Sequence, residues 1–259
     1  MIFLLKKNIK RCLASGRGLA SAFRPKTTAG KRVLMYHSIG DPSDHRLAIR
    51  VTARSFEEQA GFLLSAGYKA VKLSDMISGG FERPNEKLIA ITFDDGYKDS
   101  VEIAVPIMRR LGLTATFLVT TSYIDGRCKK MWRDGKPRQY MTWEDLSKLR
   151  EMGFEVGSHM VNHTDLTALD DTKLTYEFEE SRRIISGHIG KDVKVFSYPY
   201  GKIDHRVTAI AKKSGYMGGG SSFPGVNYAN TDRYILRRTE IDGYDTMNDF
   251  RVKLEGWYD

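Results

Sequence analysis

Two adjacent carboxylates, Asp94 and Asp95, are the first residues of the chain whose type and spacing could do chemistry. They follow the apolar run KLIAITF at 87–93 and precede Gly96, which would let the backbone bend and bring both side chains toward one site. Two carboxylates at such a short distance repel each other unless a cation lies beside them. The pair therefore predicts a metal site, and a simple turn or helix cap is the alternative because Asp-Asp-Gly is a common turn sequence.

Two histidines, His159 and His163, follow a second strand-like segment, 154–158, in the sequence SHMVNH. Histidines four residues apart share one face of a helical turn, so we expect both rings to reach one ion at about 2.0 to 2.1 Å. With one carboxylate they would form the two-histidine, one-carboxylate set that catalytic zinc, cobalt and iron sites use. Paired histidines also arise by chance, and the coincidence with a second strand-end motif is what favours a metal site.

A third segment, FSYPYG at 196–201, also ends a predicted strand. Pro199 and Gly201 restrict the backbone there, which can leave a backbone N–H free to stabilise an oxyanion. Tyr200 could offer its ring to a sugar face or its hydroxyl to a substrate, and we place Pro199 and Tyr200 among the substrate-binding residues. The alternative is an ordinary turn between a strand and a helix.

Apolar runs alternate with helix-like stretches along the rest of the chain. Strands are predicted at 33–36, 87–93, 114–119, 154–158, 193–197, from 216, and at 234–241. This alternation implies a parallel sheet, and seven or eight such units favour an α/β fold built as a distorted (β/α) barrel of about seven parallel strands in a single domain. An open doubly wound sheet is the alternative. In a barrel the carboxyl ends of the strands form one mouth, which would gather the three motifs.

Capping residues locate the intervening helices. Ser55 with Glu58 three residues later is typical of a capping box, and Thr142 and Asp170 or Asp171 are typical N-caps. A helix is also predicted over 101–111, another over 204–214, and a last one after Asp245.

Composition excludes some classes of protein. The 259 residues are 41% hydrophobic and 11% aromatic, as in a globular protein with a sizeable core, and the formal net charge of +9 favours anionic partners. The chain lacks a recognition helix, zinc-finger spacing and an aromatic ribonucleoprotein motif, so we expect no nucleic-acid binding. Cys12 and Cys128 cannot form a disulfide framework and are interpreted as inert thiols.

The first 30 residues are interpreted as a basic N-terminal tail, and residues 31–259 as the catalytic domain. The apolar run Ile2 to Leu5 precedes the basic residues, whereas a secretory signal has the opposite order. The sequence thus favours a cytoplasmic location or a peripheral one at the inner membrane surface, where the tail would meet anionic lipid.

Taken together, these motifs resemble the polysaccharide deacetylase family, carbohydrate esterase family 4, and in particular its branch of poly-N-acetylglucosamine deacetylases. The resemblance covers roughly Lys31 to Ile241 and rests on TFDDGY at 92–97, SHMVNH at 158–163 and FSYPYG at 196–201. The stretch at 141–159 also resembles the family's usual approach to its second motif.

The resemblance implies roles for individual residues. Asp94 would be the general base that takes a proton from the attacking water, and Asp95, His159 and His163 would hold a divalent metal, typically zinc. The backbone N–H of Tyr200 would help to stabilise the tetrahedral oxyanion. The implied reaction is hydrolysis of an N-acetyl amide on a polysaccharide or glycolipid.

Two residues that the family usually provides are absent. An Arg usually begins the third motif and hydrogen-bonds the catalytic Asp, and Ser197 stands in its place. A later Leu-x-His motif usually supplies the general acid, but no histidine follows His205. His37 lies at the end of the first predicted strand, which a barrel brings beside the last one, and the branch named above has its acid in a similar Tyr-His motif. We therefore assign the acid role to His37, with His45 as the second candidate.

The missing Arg has two possible substitutes, Arg237 and Arg238, on the last predicted strand. Only one of them can point inward, because side chains alternate along a strand, and the sequence leaves the choice open. Trp132, in a polar loop, is a candidate for stacking on sugar or for anchoring the loop.

The main hypothesis is a metal-dependent carbohydrate N-deacetylase acting on an N-acetylated glycan or glycolipid. A deformylase or another amide hydrolase of a lipid-linked sugar is one alternative, since the same centre would attack any small acyl amide. A catalytically inactive, glycan-binding barrel is the other, because two expected catalytic residues have changed.

Overall fold

A computed structural model describes residues 30–40, 49–132 and 135–256 of the chain. The predicted N-terminal tail, with Cys12, and the second acid candidate, His45, lie outside the described residues. Contact of the tail with a membrane accordingly stays a prediction.

The described part of the chain contains ten strands and eight α-helices. The strands are β1 Arg32–Tyr36, β2 Ser38–Ile39, β3 Arg50–Val51, β4 Lys69–Val71, β5 Leu88–Phe93, β6 Thr116–Val119, β7 Glu155–Ser158, β8 Val195–Ser197, β9 Gly218–Gly220 and β10 Thr239–Glu240. The helices are α1 Ala53–Ser65, α2 Leu73–Asp75, α3 Val105–Arg110, α4 Thr121–Ile124, α5 Trp143–Glu151, α6 Asp171–Ile189, α7 His205–Lys213 and α8 Met247–Glu255. Among these residues, no helix has both the length and the apolar composition needed to cross a membrane.

Seven strands form one curled parallel sheet in the order β10-β1-β5-β6-β7-β8-β9. An eighth strand, β4, pairs with the first half of β5, at Leu88–Ala90, and β6 pairs with the second half, at Thr92–Phe93. The short strands β2 and β3 form a separate parallel pair. The expected distorted (β/α) barrel of about seven parallel strands in one domain is confirmed.

A single segment, residues 236–240, pairs with both edges of this sheet. Leu236 donates its backbone N–H to the carbonyl of Gly219 in β9 at 3.0 Å, and three residues later Thr239 is in register with Leu34 of β1. The predicted strand at 234–241 is therefore wrong in length, because the segment changes partner midway and only Thr239–Glu240 is a regular strand. This change of partner completes the barrel.

Side chains alternate along the strands between two apolar clusters, as the period of two requires. The inner cluster fills the barrel and consists of Val33, Leu73, Met76, Leu88, Ala90, Leu118, Val195 and Leu236. Their strand neighbours Leu34, Ile89, Ile91, Phe117 and Phe196 belong to the larger cluster beneath the helices. Continuing the inner register to the carboxyl ends of the strands places Asp94, Ser197 and Arg238 inside the barrel.

The helix caps are partly as predicted. Thr142 and Asp145 form a capping box on α5, and Asp170 caps α6. The capping box predicted at Ser55 and Glu58 is wrong.

Helix α1 begins earlier than that prediction. Thr52 accepts the backbone N–H of Ser55 at 3.0 Å, while Glu58 instead pairs with Arg54 at 2.9 Å. The helix predicted over 101–111 starts as a π-turn, Ser100–Ala104, before α3.

Glycines in β9 mark close contacts of the closing strands, and Gly219 gives a test of the packing. A Cβ at Gly219 would lie 2.4 Å from ring carbons of Phe196. Overpacking of this kind costs about 1–3 kcal/mol. We expect Gly219→Ala to lower the free energy of unfolding by that amount in urea denaturation.

Gly187 of α6 is the matched control, because a Cβ there meets no atom within 4 Å. Gly187→Ala should raise the free energy of unfolding by about 0.5–1 kcal/mol through helix propensity. Equal stability of the two variants would contradict the proposed packing of β9 on Phe196.

Candidate metal centre and active site

The carboxylates of Asp94 and Asp95 reach the same site because the chain turns sharply after β5. Asp94 continues the inward register, and Asp95 would point the other way in an extended strand. Asp95 instead has φ of 72° and Gly96 has φ of 79°, both in the left-handed region. The turn expected from Gly96 thus begins one residue earlier, at a residue type that enters this region more readily than most.

The two histidines also share one site, but not by the geometry that their spacing suggested. The segment after β7 is irregular, with positive φ at Met160 (66°) and His163 (48°), and contains no helical turn. The prediction of a helical His-x-x-x-His pair is therefore wrong. Both rings nevertheless meet, with centroids 4.8 Å apart.

A buried carboxylate, Glu177 of α6, holds this irregular loop. It accepts the backbone N–H groups of Val161 at 2.8 Å and Asn162 at 3.0 Å, and the side-chain amide of Asn162 at 2.6 Å. On the opposite side, the backbone N–H of Thr121 at the start of α4 donates to Met160 at 3.2 Å. These contacts fix the backbone immediately before His163.

Asp95, His159 and His163 fit a metal ion by the arrangement of their donor atoms. One oxygen and two nitrogens lie within 4.8 Å of one another. Oδ1 of Asp95 is 3.4 Å from Nε2 of His159 and 3.0 Å from Nε2 of His163, close to the roughly 3.3 Å edge of a tetrahedron with 2.0–2.1 Å bonds. The same Oδ1 is buried without a hydrogen-bond partner among the described residues, as an oxygen kept for a cation would be.

Ser197 orients the ring of His159 so that its other nitrogen can bind a metal. Nδ1 of His159 lies 3.0 Å from the carbonyl oxygen of Ser197 and 2.6 Å from its hydroxyl, and both can accept the Nδ1 proton. The unprotonated Nε2 then faces Asp95. Burial lowers the pKa of His159 to about 4, so the ring is neutral at pH 7, the form that binds a metal.

Arg238 contacts Asp94 in a bidentate ion pair. Nη1 donates to Oδ1 and Nη2 to Oδ2, each at 2.7 Å, and both side chains are buried. Arg237 is exposed and its Nη1 donates to the carbonyl of Pro224 at 3.0 Å. The structure thus places Arg238, and not Arg237, beside Asp94.

Opposing influences act on the pKa of Asp94. Burial raises it, while the charge of Arg238, that of His159 and the hydrogen bond from Arg238 lower it. The net pKa lies below the usual value for aspartate, so Asp94 carries a negative charge near neutral pH. A hydrogen bond from the Ser197 hydroxyl at 3.2 Å adds to this environment.

His37 follows β1 and lines the same cavity as the two carboxylates. Its charge would be close enough to lower the pKa of both Asp94 and Asp95. Its carbonyl accepts the hydroxyl of Ser100 at 2.9 Å, and its Nδ1 is buried without a hydrogen-bond partner among the described residues. His37 is thus near the carboxylates, and its Nδ1 remains available.

The segment around His37 is fixed by Asp99. This carboxylate accepts the hydroxyl of Ser38 at 2.5 Å, the backbone N–H of Ile39 at 3.1 Å and Nη2 of Arg50 at 3.2 Å. Burial raises the pKa of Asp99, although these donors and the charge of Arg50 oppose the effect.

Tyr200 lies on the turn Pro199–Gly201 after β8, at the edge of the site. Its φ is 59°, its side chain is 61% exposed, and its ring meets that of His163 edge-on at 4.6 Å. Pro199 is buried beneath the turn. The turn thus holds the exposed ring of Tyr200 beside His163.

Trp132 is packed against other side chains and lies outside the lining of the cavity. Its ring stacks on Tyr97 at 5.5 Å and under the guanidinium of Arg138 at 4.5 Å, and it is 9% exposed. It does not belong to the residues that line the cavity. Of the two interpretations of Trp132, this packing favours the loop anchor.

The candidate site opens as a cavity of about 350 Å³, the size of small-molecule sites. It is lined by Met35, His37, Ile49, Asp94, Asp95, Arg138, His159, His163, Tyr198, Tyr200, Ser222 and Glu240. A second depression of about 450 Å³ contains Lys69, Lys72 and Arg83 but no histidine in its lining. Of these two cavities, only the first contains the cluster of Asp95, His159 and His163 together with the buried Asp94.

Sequence reasoning missed Glu177, Asp99 and Arg138. Glu177 had a usable signal, because it falls within the buried stripe of α6 that includes Leu174, Phe178 and Ser181. A carboxylate in such a stripe indicates buried partners. Asp99 and Arg138 lie in polar stretches where no periodicity distinguishes them.

A family profile and several curated relatives match this chain. The sequence profile described as polysaccharide deacetylase matches residues 81–219, more than half of the chain. YxkH of Bacillus subtilis (strain 168) is 26% identical over 211 residues, which cover 81% of this chain and 70% of that protein.

Two further relatives match over about half of this chain. The poly-beta-1,6-N-acetyl-D-glucosamine N-deacetylase of Escherichia coli (strain K12) is 26% identical over 54% of the chain, and the peptidoglycan-N-acetylglucosamine deacetylase of Bacillus cereus is 29% identical over 51%. The matches span only 22% and 55% of those two proteins.

Solved structures share the fold. The Streptococcus pyogenes deacetylase PplD, in complex with acetate, has a TM-score of 0.75 at 21% identity, over 86% of this chain and 97% of that one. IcaB from Ammonifex degensii has a TM-score of 0.72 at 20% identity, over 88% and 96%. These likenesses support the barrel fold.

Removing the carboxylate of Glu177 should weaken metal binding through the position of His163. In Glu177→Gln an amide N–H₂ can face the backbone N–H groups of Val161 and Asn162, so the loop should shift. Mutation of such supporting partners typically costs about 10- to 100-fold in metal affinity. We expect a loss of that size for Zn²⁺ in competition with a chromogenic chelator.

Glu179→Gln is the matched control, since Glu179 is exposed on the same helix. It should bind Zn²⁺ as the wild type does. An unchanged Zn²⁺ affinity in Glu177→Gln would show that the loop keeps its shape without the Glu177 carboxylate.

Proposed function

The chain belongs to the polysaccharide deacetylase family, and from this premise we propose that it removes acetyl groups from N-acetylated sugars by metal-dependent hydrolysis. The observation that carries the proposal is the cluster of Asp95, His159 and His163 beside the buried pair of Asp94 and Arg238, in one cavity. Its substrate would be an N-acetylated polysaccharide or glycolipid.

The ligand set favours zinc. Two neutral imidazoles and one carboxylate suit Zn²⁺ and leave a position open. A divalent ion held there would supply Lewis acidity toward the attacking water and the acetyl carbonyl.

Asp94 is the proposed general base. Its carboxylate is ionised at neutral pH, next to the metal ligand Asp95, and fixed in plane by Arg238. It would take a proton from the water that attacks the amide carbon. Because Arg238 supplies the contact expected of the missing Arg, the change to Ser197 does not by itself remove the base.

His37 is the proposed general acid. It lines the cavity with Asp94 and Asp95, and its buried Nδ1 is not engaged by any described residue. In this role it would give a proton to the sugar nitrogen as the C–N bond breaks, so that the products are acetate and a free amine.

Tyr200 is proposed to stabilise the reaction's oxyanion through its backbone N–H. Its exposed ring beside His163 is placed to meet a face of the sugar. Pro199 would support this turn from below.

A test of the reaction measures acetate release over a panel of N-acetylated oligosaccharides and lipid-linked sugars. We expect acetate from at least one substrate when Zn²⁺ is supplied, and loss of activity when a chelator removes the metal. Restoration by added Zn²⁺ is the control for damage by the chelator.

Formate is measured in parallel. Formate from an N-formylated lipid-linked sugar with no acetate from any substrate would support the deformylase alternative. A wild-type protein that binds Zn²⁺ but releases neither product would support the inactive glycan-binding barrel.

Replacing His37 by Gln should reduce kcat for acetate release by about 10²- to 10⁴-fold, the usual contribution of a positioned acid. Zn²⁺ affinity should be unchanged because His37 is outside the ligand set. His188→Gln is the matched control, as His188 is exposed and stacks on Trp143. If His37→Gln keeps full kcat, the acid must be another group.

A further inference from the structure

Arg138 presents a guanidinium on the wall of the catalytic cavity. Three contacts fix this group. Nη1 donates to the hydroxyl of Tyr97 at 2.7 Å, Nε donates to the carbonyl of Met131 at 3.3 Å, and the guanidinium carbon lies 4.5 Å from the centre of the Trp132 ring.

Tyr97 links Arg138 to the metal centre. It follows Asp95 by two residues, is almost fully buried, and stacks on both Trp132 and Tyr140. The distance of the guanidinium from the reacting amide is therefore set by packed aromatic rings and does not depend on a mobile side chain.

The charge of Arg138 is not neutralised by a carboxylate within ion-pair distance among residues 30–40, 49–132 and 135–256. Of the carboxylates that line the cavity, Asp94 pairs with Arg238 and Asp95 would bind the metal, while Glu240 is exposed and is not within ion-pair distance of Arg138. Arg50, which also lies over Trp132, is paired with Asp99. The direct partners of the half-buried Arg138 are neutral, and the nearby charge of Asp95 would be taken up by the metal, so the guanidinium favours an anionic ligand.

We propose that Arg138 binds an anionic substituent of the glycan, a carboxylate or a phosphate on or next to the N-acetylated sugar. The substrate class is then an acidic N-acetylated glycan, which the net charge of +9 would also attract. This inference rests on the proposed deacetylation and adds a determinant of specificity to it.

The test compares acetate release from chitotetraose with release from two acidic counterparts. One carries a lactyl ether carboxylate on alternate sugars, and the other carries a 6-O-phosphate. We expect the wild type to have a lower KM for at least one acidic substrate. Arg138→Gln should raise that KM by about 10- to 100-fold, as charge-assisted hydrogen bonds predict. Its kcat, and its KM for chitotetraose, should change less than about twofold.

Two other variants control for structure and charge. Arg138→Lys keeps the charge without the planar fork and should recover part of the affinity. Arg251→Gln removes an arginine that also lies over an aromatic ring, that of Phe62 at 5.0 Å, but outside the cavity lining, and should leave every KM unchanged. An equal loss on neutral and acidic substrates in Arg138→Gln would overturn the proposal and assign Arg138 a purely structural role.

Calorimetric binding of the same oligosaccharides separates this inference from the proposed reaction. If no substrate releases acetate but the wild type binds an acidic oligosaccharide more tightly than chitotetraose, and Arg138→Gln abolishes the difference, only the deacetylation fails. If the wild type binds both alike, the role of Arg138 is overturned whatever the activity.

Discussion

The buried ion pair between Arg238 and Asp94 is the interaction on which the rest of the site depends. Removing two charges from water costs several kcal/mol per ion, and such pairs seldom stabilise a fold more than apolar residues of the same size would. Here the hydrogen bonds made by nearly all the N–H groups of Arg238 offset this cost. Besides its two bonds to Asp94, Arg238 donates to the carbonyl of Ser221 at 2.7 Å and to the hydroxyl of Thr92 at 3.2 Å. What the pair contributes is the fixed plane and ionised state of one carboxylate.

This pair also accounts for local features of the sheet. A Cβ at Gly220 would lie 2.7 Å from Cδ of Arg238, so only glycine fits at this position of β9. Arg238 in turn belongs to the segment that pairs with β9 at Leu236 and with β1 at Thr239. The orientation of Asp94 is therefore coupled to the closure of the barrel, and a disturbance of either edge of the sheet would change the position of this carboxylate.

The sequence could predict those strands that are continuous apolar runs. The apolar run 87–93 predicts a strand, and Leu88–Phe93 is one. The polar residues at the strand ends predict the cluster of Asp94, Asp95 and the two histidines, which the structure brings together. It could not predict the path of the loop to His163, since a spacing of four is shared by a helical turn and by an irregular loop with left-handed residues. The sequence also could not show that Arg238, rather than Arg237, points into the barrel. Ile235 and Leu236 are both apolar, so the inward register of the last strand became clear only from the burial of Leu236 inside the barrel.

The two departures from the usual family motifs have a common structural origin. The candidate metal ligands and Asp94, the proposed base, follow β5 and β7 in the middle of the sheet. The groups expected to orient the base and to donate the proton, Arg238 and His37, come instead from the closing segment and from the end of β1, and these two strands are paired. The short side chain of Ser197 donates its hydroxyl to Asp94 at 3.2 Å and also contacts Nδ1 of His159, while Arg238 contacts both carboxylate oxygens of Asp94. In the proposed mechanism, the closing segment would therefore supply the arginine that β8 lacks, and the end of β1 beside it would supply the proton donor.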